Sequence, residues 1–376
     1  MPIYYKGSET QRPSTAIELE QILRTPRPQR YTADADLAAA VNVALILGKP
    51  LLLTGDPGTG KTELAGHVAM ALGLGDPERF DTRSTSQANE LFYRFDSLAR
   101  FHWANSGSPS GRSRSALDFI TLGPLGRAIL RSLAPTHPLF EVLGLPHPSP
   151  QGEREPQRAA ARSVVLIDEI DKAPRDFPND LLDAIDNLRF SIRELEKDTT
   201  EQLLDRCGTS DITAAPRFKP VVVITSNSEK SLPPPFLRRC VYFHIRFPQA
   251  DRLRAIVARR INDPGCPARS SEELSTLSAD RLSAVTSISP QEAKPLLHTA
   301  VEFFCKIREL DLRKPPSTAE LIDWLQYLLK SGARASEELA QLALTVHQSL
   351  GVLVKSVEDL EIAREFARAR VPVISR

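Results

Sequence analysis

The chain has 376 residues, of which 41% are apolar and 25% charged, an ordinary composition for a globular protein long enough for two domains. Lysine and arginine number 48 and aspartate and glutamate 47, so bulk charge favours neither nucleic acid nor an acidic membrane surface as a partner. No apolar run is as long as a membrane span, and the first residues lack a signal peptide's apolar core. We therefore expect a cytoplasmic protein with no membrane partner.

Sequence patterns in the first 72 residues predict a strand and two helices. Residues 1–30 hold four prolines among scattered charges and are predicted to form an extended N-terminal arm. The apolar spacing from Ala33 to Leu47 predicts a helix, Pro50–Thr54 is typical of a buried strand, and Thr62–Leu72 of an amphipathic helix.

A glycine loop, Gly55-Asp-Pro-Gly-Thr-Gly-Lys-Thr62, joins that strand to the helix after it and matches the phosphate-binding pattern G-x-x-x-x-G-K-T. Its glycines allow backbone N–H groups to close around phosphate oxygens, and the helix adds the positive end of its dipole. We predict that Lys61 contacts the β- and γ-phosphates and that Thr62 offers its hydroxyl to Mg²⁺. The predicted nucleotide-binding residues are Asp56, Gly58, Thr59, Gly60, Lys61, Thr62 and Glu63. The alternative is a glycine turn before a surface helix.

Four further short runs predict strands, at 79–83, 163–167, 221–225 and 241–245. Runs that are apolar on both faces and separated by helices indicate an α/β fold whose parallel sheet is covered on both sides. Two stretches between them are predicted to be irregular. The first is a proline-rich surface insertion at 133–160, and the second spans 194–219, with Phe190–Arg193 and Arg217–Lys219 predicted to pair as a hairpin.

Two acids follow the strand predicted at 163–167. Because α/β folds place ligands at the carboxyl ends of their strands, Asp168 and Glu169 are candidates for a site. Asp168 is predicted to hold Mg²⁺ through its water shell, since this ion keeps several waters and binds one or two carboxylates. Glu169 is predicted to orient and polarise the attacking water. Two solvated acids at a strand end are the alternative.

Asn227 follows the strand predicted at 221–225. Its amide is predicted to lie near the γ-phosphate and to hold the lytic water together with Glu169. The alternative is an asparagine that begins a turn, a role common for this residue.

An arginine pair, Arg238 and Arg239, lies directly before the strand predicted at 241–245. An arginine here is placed to reach the nucleotide of a neighbouring subunit and the charge that develops on its γ-phosphoryl group. We assign this role to Arg239, which is closer to the strand. A solvated basic pair is the alternative.

After residue 249 only helical patterns remain, at 250–261, 291–310, 318–329, 336–350 and 361–369. The sequence therefore predicts an α/β nucleotide-binding domain at 31–249 and an all-helical domain at 250–376. Four separated cysteines, without C-x-x-C spacing or a histidine cluster, predict free thiols.

In their order along the chain, these motifs resemble those of AAA+ ATPases, and within that superfamily the chain is similar to MoxR-like ATPases. The resemblance covers roughly residues 30–330, with supporting stretches at 119–126, 168–174 and 179–186. It implies a P-loop fold with a five-stranded parallel sheet and a helical lid, ATP and Mg²⁺ as ligands, and a homo-oligomeric ring, usually a hexamer. It also implies remodelling of a protein client, often with a von Willebrand A domain partner.

Two finer expectations come from the same resemblance. Aromatic residues in Glu90–Trp103 fall where the family has an insertion on the pore side of the ring, and we predict that they grip a polypeptide there, with ordinary core packing of a hairpin as the alternative. The lid arginine called sensor 2 is missing from its expected place, where Ala319 or Glu320 stands, with Arg313 nearby. Two other functions stay open, a nucleotide-gated switch or scaffold in a bacterial signalling or conflict system and a nucleic-acid motor, which the neutral charge disfavours.

Overall fold

The computed structural model describes residues 31, 33–105, 115–146, 159–227, 231–261, 295–334 and 337–372. The predicted arm at 1–30 and much of the predicted insertion at 133–160 lie outside them. Contacts divide the chain into two compact units. The first comprises Tyr31–Asp56 and Gly60–Arg246, and the second comprises Phe247–Arg376 with Pro57–Thr59. This division falls close to the boundary predicted after residue 249.

The first unit is built around a parallel sheet. In chain order its strands are β1 (Leu51–Gly55), β2 (Glu78–Asp81), β3 (Tyr93–Phe95), β4 (Ile120–Leu122), β5 (Val164–Asp168), β6 (Arg189–Phe190), β7 (Ile212–Thr213), β8 (Val221–Thr225) and β9 (Val241–Ile245). Five of the strands in the described residues form one sheet in the order β2–β5–β8–β1–β9, and every pairing in it is parallel. The predicted α/β fold with a five-stranded parallel sheet is confirmed.

Helices alternate with these strands along the first unit. They are α1 (Ala35–Leu47), α2 (Lys61–Ala71), α3 (Ser97–Asn105), α4 (Pro124–Ser132), α5 (Pro138–Leu143), α6 (Phe177–Asp180), α7 (Leu182–Asn187), α8 (Lys197–Cys207) and α9 (Pro234–Leu237). Because successive side chains of a strand point to opposite faces, each central strand contributes to two cores. Leu51 and Leu53 of β1 belong with Leu64 of α2 to the core on one face, whereas Leu52 belongs with Val165 to the core on the other. Both faces of the sheet are thus buried.

The predicted hairpin between Phe190–Arg193 and Arg217–Lys219 is wrong. Instead β6 pairs with β7 in an antiparallel ladder that places Phe190 opposite Ile212, and both side chains are buried. The stretch at 216–218 is a single 3₁₀ turn that begins at Pro216. Proline lacks the N–H that a ladder needs, whereas Ile212 supplies an apolar side chain for the core.

The two stretches predicted to be irregular both contain helices. In the first, α5 begins at Pro138 and ends at Gly144, which has a left-handed φ of 61°. In the second, α8 ends in the same way at Gly208, with a φ of 75°, and buries Leu203. A left-handed glycine after the last turn is a common helix terminator, so these two glycines were the sequence signal that the interpretation missed.

Helices are the only regular secondary structure in the described residues of the second unit. Its helices are α10 (Ala250–Ile261), α11 (Pro295–Arg308), α12 (Thr318–Lys330), α13 (Ala343–Leu353) and α14 (Val357–Arg370). The fully buried Trp324 lies at their centre, where its indole N–H donates to the Ser349 hydroxyl at 2.8 Å and its ring stacks on Phe303 at 5.7 Å. Across both units, each described helix is too short or too polar to cross a lipid bilayer.

The aromatic segment at 90–103 divides between core and surface. Phe92 and Tyr93 are buried, and their rings lie 5.2 and 6.2 Å from that of Phe190, as core packing of a hairpin predicts. The strand β3 that holds Tyr93 pairs with β4. By contrast α3, directly after it, has no buried residue and leaves the side chains of Leu98 and Phe101 exposed.

Cys207, Cys240 and Cys305 are free thiols, as predicted, whereas Cys266 lies outside the described residues. Burial, with a smaller contribution from the nearby charge of Asp186, raises the pKa of the Cys240 thiol to about 12. The thiol next to Arg239 is therefore protonated and unreactive at neutral pH.

The approach of α4 to the β3–β4 hairpin leaves no room for a side chain at Gly126. A Cβ atom there would lie 2.0 Å from the backbone oxygen of Phe92. We expect Gly126→Ala to lower the free energy of unfolding by about 1–3 kcal/mol, because the backbone of the hairpin has to shift. Denaturant unfolding measures this. Gly351→Ala is the control, since a Cβ on this α13 glycine meets no atom within 4 Å, and equal destabilisation by both would contradict the packing argument.

Candidate functional site

The glycine loop joins the end of β1 to the first residue of α2. Gly58 and Gly60 have φ values of 73° and 87°, a left-handed conformation that side chains other than glycine rarely adopt. A Cβ atom on Gly60 would lie 2.9 Å from the ring of Tyr31. The left-handed turns allow backbone amides of the loop and of the first turn of α2 to close around a phosphate group, which is the cradle that such a group requires.

Lys61, at the start of α2, bends its side chain back over the loop. Its ammonium group is buried and donates hydrogen bonds to the carbonyl oxygens of Gly55 at 2.7 Å and Asp56 at 2.9 Å. Burial lowers the pKa of Lys61, while the charges of Asp171, Asp56 and other nearby acids oppose this shift. The lysine charge is thus held inside the loop by carbonyl oxygens, which are weaker partners than a phosphate would be.

Asp168, the last residue of β5, receives hydrogen bonds from three side chains. The Thr62 hydroxyl donates to its Oδ1 at 2.9 Å, and the Thr225 hydroxyl donates to the same oxygen at 2.6 Å. On the other oxygen, Arg79 Nη2 forms an ion pair at 2.9 Å. The carboxylate is only 8% exposed, and the hydroxyl that the sequence assigns to Mg²⁺ lies directly beside it.

Glu169 and Asn227 also come together, at the ends of β5 and β8. The Asn227 amide donates to Glu169 Oε1 at 3.1 Å, and Lys172 forms an ion pair with Oε2. The Glu169 backbone is left-handed, with a φ of 55°, and its N–H donates to the Thr225 hydroxyl at 2.8 Å. The carboxylates of Asp168 and Glu169 therefore have separate partners, whereas the Thr225 hydroxyl contacts both residues.

The sheet order explains why these residues meet. β8 lies between β5 and β1, and all three strands run in parallel, so their carboxyl ends share one edge of the sheet. Ile224 is in register with both Ile167 of β5 and Leu52 of β1. A crevice outside the carboxyl ends of parallel strands is where α/β sheets bind ligands.

The other predicted residues are distributed differently. Asp56, Gly58 and Glu63 are exposed in the loop and the first turn of α2, and Thr59 is half-buried there. Arg239 is not brought to the cluster. Its guanidinium group pairs with Asp186 of α7 and donates to the Pro235 carbonyl at 3.1 Å.

Two charged residues lie near the position expected for the sensor 2 arginine, Glu320 and Arg313, and both have partners within the helical unit. The Glu320 carboxylate accepts from the Ser317 backbone N–H at 2.7 Å and so completes the capping box that begins α12. Arg313 forms a surface ion pair with Glu358 at 3.2 Å. No lysine or arginine among the described residues is therefore assigned this role.

The sequence interpretation missed four residues of the site, namely Tyr31, Arg79, Lys172 and Thr225. Tyr31 packs against Gly60 and places its ring centroid 5.4 Å from that of His67. Thr225 had a readable signal, because it is the polar end of an otherwise apolar strand. Arg79 had none, since charged residues are common on edge strands.

The donor set fits a polyphosphate with a small hard cation. Among the described residues, no three His, Cys, Asp or Glu side chains are grouped as a self-contained metal centre. Mg²⁺ does not need such a centre, because it is usually bound by one or two carboxylates together with substrate phosphates, and Thr62 with Asp168 meets that requirement. In comparisons with known proteins, the chain matches no protein-family model and no curated protein.

Proposed function

We propose that this chain is a Mg²⁺-dependent ATPase of the AAA+ superfamily, similar to its MoxR-like members, that hydrolyses ATP to ADP and phosphate. One observation carries the proposal. The glycine loop and the side chains of Lys61, Thr62, Asp168, Glu169 and Asn227 meet at the carboxyl ends of three adjacent parallel strands. Each of these residues is of the type that phosphoryl transfer requires at its position.

Binding of the triphosphate is assigned to the loop and Lys61. The loop amides and the dipole of α2 attract phosphate oxygens. The Lys61 ammonium exchanges its two carbonyl partners for those oxygens, and the exchange is favourable because phosphate oxygens carry net negative charge whereas a carbonyl oxygen carries only the negative end of a dipole.

Thr62 and Asp168 would hold Mg²⁺, through the hydroxyl oxygen and through a carboxylate that accepts hydrogen bonds from metal-bound water. When bound, the ion neutralises charge on the β- and γ-phosphates. Thr225 fixes the orientation of Asp168, because it donates to the carboxylate from the neighbouring strand.

Glu169 and Asn227 are assigned to the attacking water. The Asn227 amide donates to the Glu169 carboxylate, so when this bond opens, one water molecule that enters between them is held by a donor and an acceptor. As the water oxygen bonds to the γ-phosphorus, the bond from phosphorus to the β–γ bridging oxygen breaks and ADP departs. Glu169 takes the proton of the water, which requires release of one of its present partners, Asn227 or Lys172.

A direct test measures ATP hydrolysis and the binding of a fluorescent ATP analogue. We expect turnover in the purified protein with Mg²⁺, and binding weakened by about tenfold or more in Lys61→Ala, because a hydrogen bond to a charged group contributes about 1.5–3 kcal/mol. Lys197→Ala is the control, since that side chain is 88% exposed on α8. Wild-type protein that neither binds nor hydrolyses ATP, or unchanged binding in Lys61→Ala, would overturn the proposal.

The assembly and the client belong to the same proposal. Arg239 lies apart from the cluster of its own chain, which supports a role at the nucleotide of a neighbouring subunit in a ring, for which a hexamer is the family expectation. Leu98 and Phe101, exposed on α3, support contact with a protein client. The helical unit as a lid and a von Willebrand A domain partner rest on the resemblance alone.

A nucleotide-gated switch is the second candidate. The hydrogen bonds that Glu169 accepts from Asn227 and Lys172 favour it. Both carboxylate oxygens of Glu169 accept from protein donors, so the residue must be released before it can accept a proton from water. A switch would hold ATP for much longer than an unregulated ATPase does. Rapid steady turnover by the protein alone would exclude this candidate, whereas bound ATP that persists until a partner is added would favour it.

A further inference from the structure

The side chain of Arg79 connects the buried carboxylate of Asp168 with the exposed carboxylate of Asp81. Arg79, on the edge strand β2, donates from Nη2 to Asp168 Oδ2 at 2.9 Å and from Nε to Asp81 Oδ1 at 2.6 Å. The proposed function assigns no role to Arg79.

Arg79 supplies the positive charge that compensates Asp168. The other donors to this carboxylate, Thr62 and Thr225, are neutral hydroxyl groups. A carboxylate as buried as Asp168 is costly without a partner of opposite charge. Of the cations in the described residues, Arg79 is the one within hydrogen-bonding distance of it.

The same carboxylate is the proposed ligand of Mg²⁺, so two cations have to share it. A guanidinium group bound to Oδ2 takes lone pairs that metal-bound water would use and repels a divalent ion at short range. We propose that Arg79 is an internal counter-ion of Asp168 that competes with the divalent cation and thereby sets the metal affinity of the site. This inference rests on the proposed function.

Arg79 has both a second partner and the space to leave Asp168. Its side chain is 52% exposed and stays paired with Asp81 when the contact with Asp168 is broken. Arg79 and Asp81 line an open cavity of about 250 Å³, together with Arg83, Glu90 and Arg94. The guanidinium group can therefore move into the cavity without disturbing the core of the sheet.

The test uses Mn²⁺ as a paramagnetic probe in place of Mg²⁺, with ADP present, and measures free Mn²⁺ by electron paramagnetic resonance. We expect Arg79→Gln to bind Mn²⁺ about tenfold more tightly than wild type, because the competing charge is gone. Arg79→Lys, which keeps the charge, should restore affinity close to that of wild type. Arg94→Gln is the matched control, since Arg94 lines the same cavity but pairs with Glu90. Unchanged or weaker Mn²⁺ binding in Arg79→Gln would overturn the inference.

A second measurement separates this inference from the proposed function. Without metal and nucleotide, Arg79→Gln should melt a few degrees below wild type, because Asp168 has lost its counter-ion, and Mn²⁺ with ADP should remove the difference. If wild type binds ADP with Mn²⁺ and the variant matches it in both measurements, only the role of Arg79 fails. If wild type shows no nucleotide-dependent Mn²⁺ binding, both proposals fail.

Discussion

Replacing Glu169 with glutamine is expected to leave ATP binding intact while lowering turnover by about 10²–10⁴-fold, the usual contribution of a general base. Glutamine has the same shape and keeps an oxygen for the Asn227 amide at 3.1 Å, so the site should stay assembled. It cannot take a proton from water. The measurement is single-turnover hydrolysis of ATP, with nucleotide binding measured on the same preparation.

Glu201→Gln is the control for this substitution. It makes the same chemical change on α8, where Glu201 forms only a loose surface pair with Lys197 at 3.7 Å. Its turnover should equal that of wild type. Hydrolysis by Glu169→Gln at the wild-type rate would show that another residue activates the water, whereas loss of ATP binding would mean that Glu169 holds the site together.

Arg239→Ala is expected to lower turnover by about 10³–10⁵-fold, which is the contribution of an arginine finger, again with ATP binding preserved. The ion pair with Asp186 lies at the surface, with side chains 35% and 42% exposed, so its loss should change stability by about 1 kcal/mol or less. An unchanged melting temperature would therefore separate a catalytic effect from unfolding. Arg238→Ala, one residue away and exposed, is the control.

A mixing experiment tests whether Arg239 acts across a subunit interface. Lys61→Ala retains Arg239 but has a defective loop, whereas Arg239→Ala retains the loop. In a mixed ring, an intact loop can face an intact arginine, so some turnover should return. Absence of recovery at every mixing ratio, in rings shown to contain both variants, would count against a role in trans.

The sheet could be predicted from sequence because its central strands are buried on both faces. Such strands appear as unbroken apolar runs, and the predicted run at 221–225 coincides with the central strand β8. The acids and the amide at strand ends could be grouped for the same reason, since parallel strands end at one edge. These signals are local, so a single stretch of sequence contains each of them.

The contacts that sequence reasoning missed are between residues far apart in the chain. The pairing of β6 with β7 depends on which apolar residue faces Phe190 in the folded core, which turn chemistry alone does not decide. The ion pair of Arg79 with Asp168 joins residues on adjacent strands whose order in the sheet is not written in either segment. Alternation and loop motifs give no information on such pairs.

Thr225 limits which residues this fold can accept at one position. Its single hydroxyl donates to the side chain of Asp168 and accepts the backbone N–H of Glu169, and the residue is fully buried. Valine would preserve its shape but remove one donor from Asp168 and the side-chain acceptor of the Glu169 N–H, while an asparagine or aspartate would need space that a closed interior lacks. Sequence drift at residue 225 should therefore be confined to threonine and serine, even if the strand around it exchanges valine, isoleucine and leucine freely.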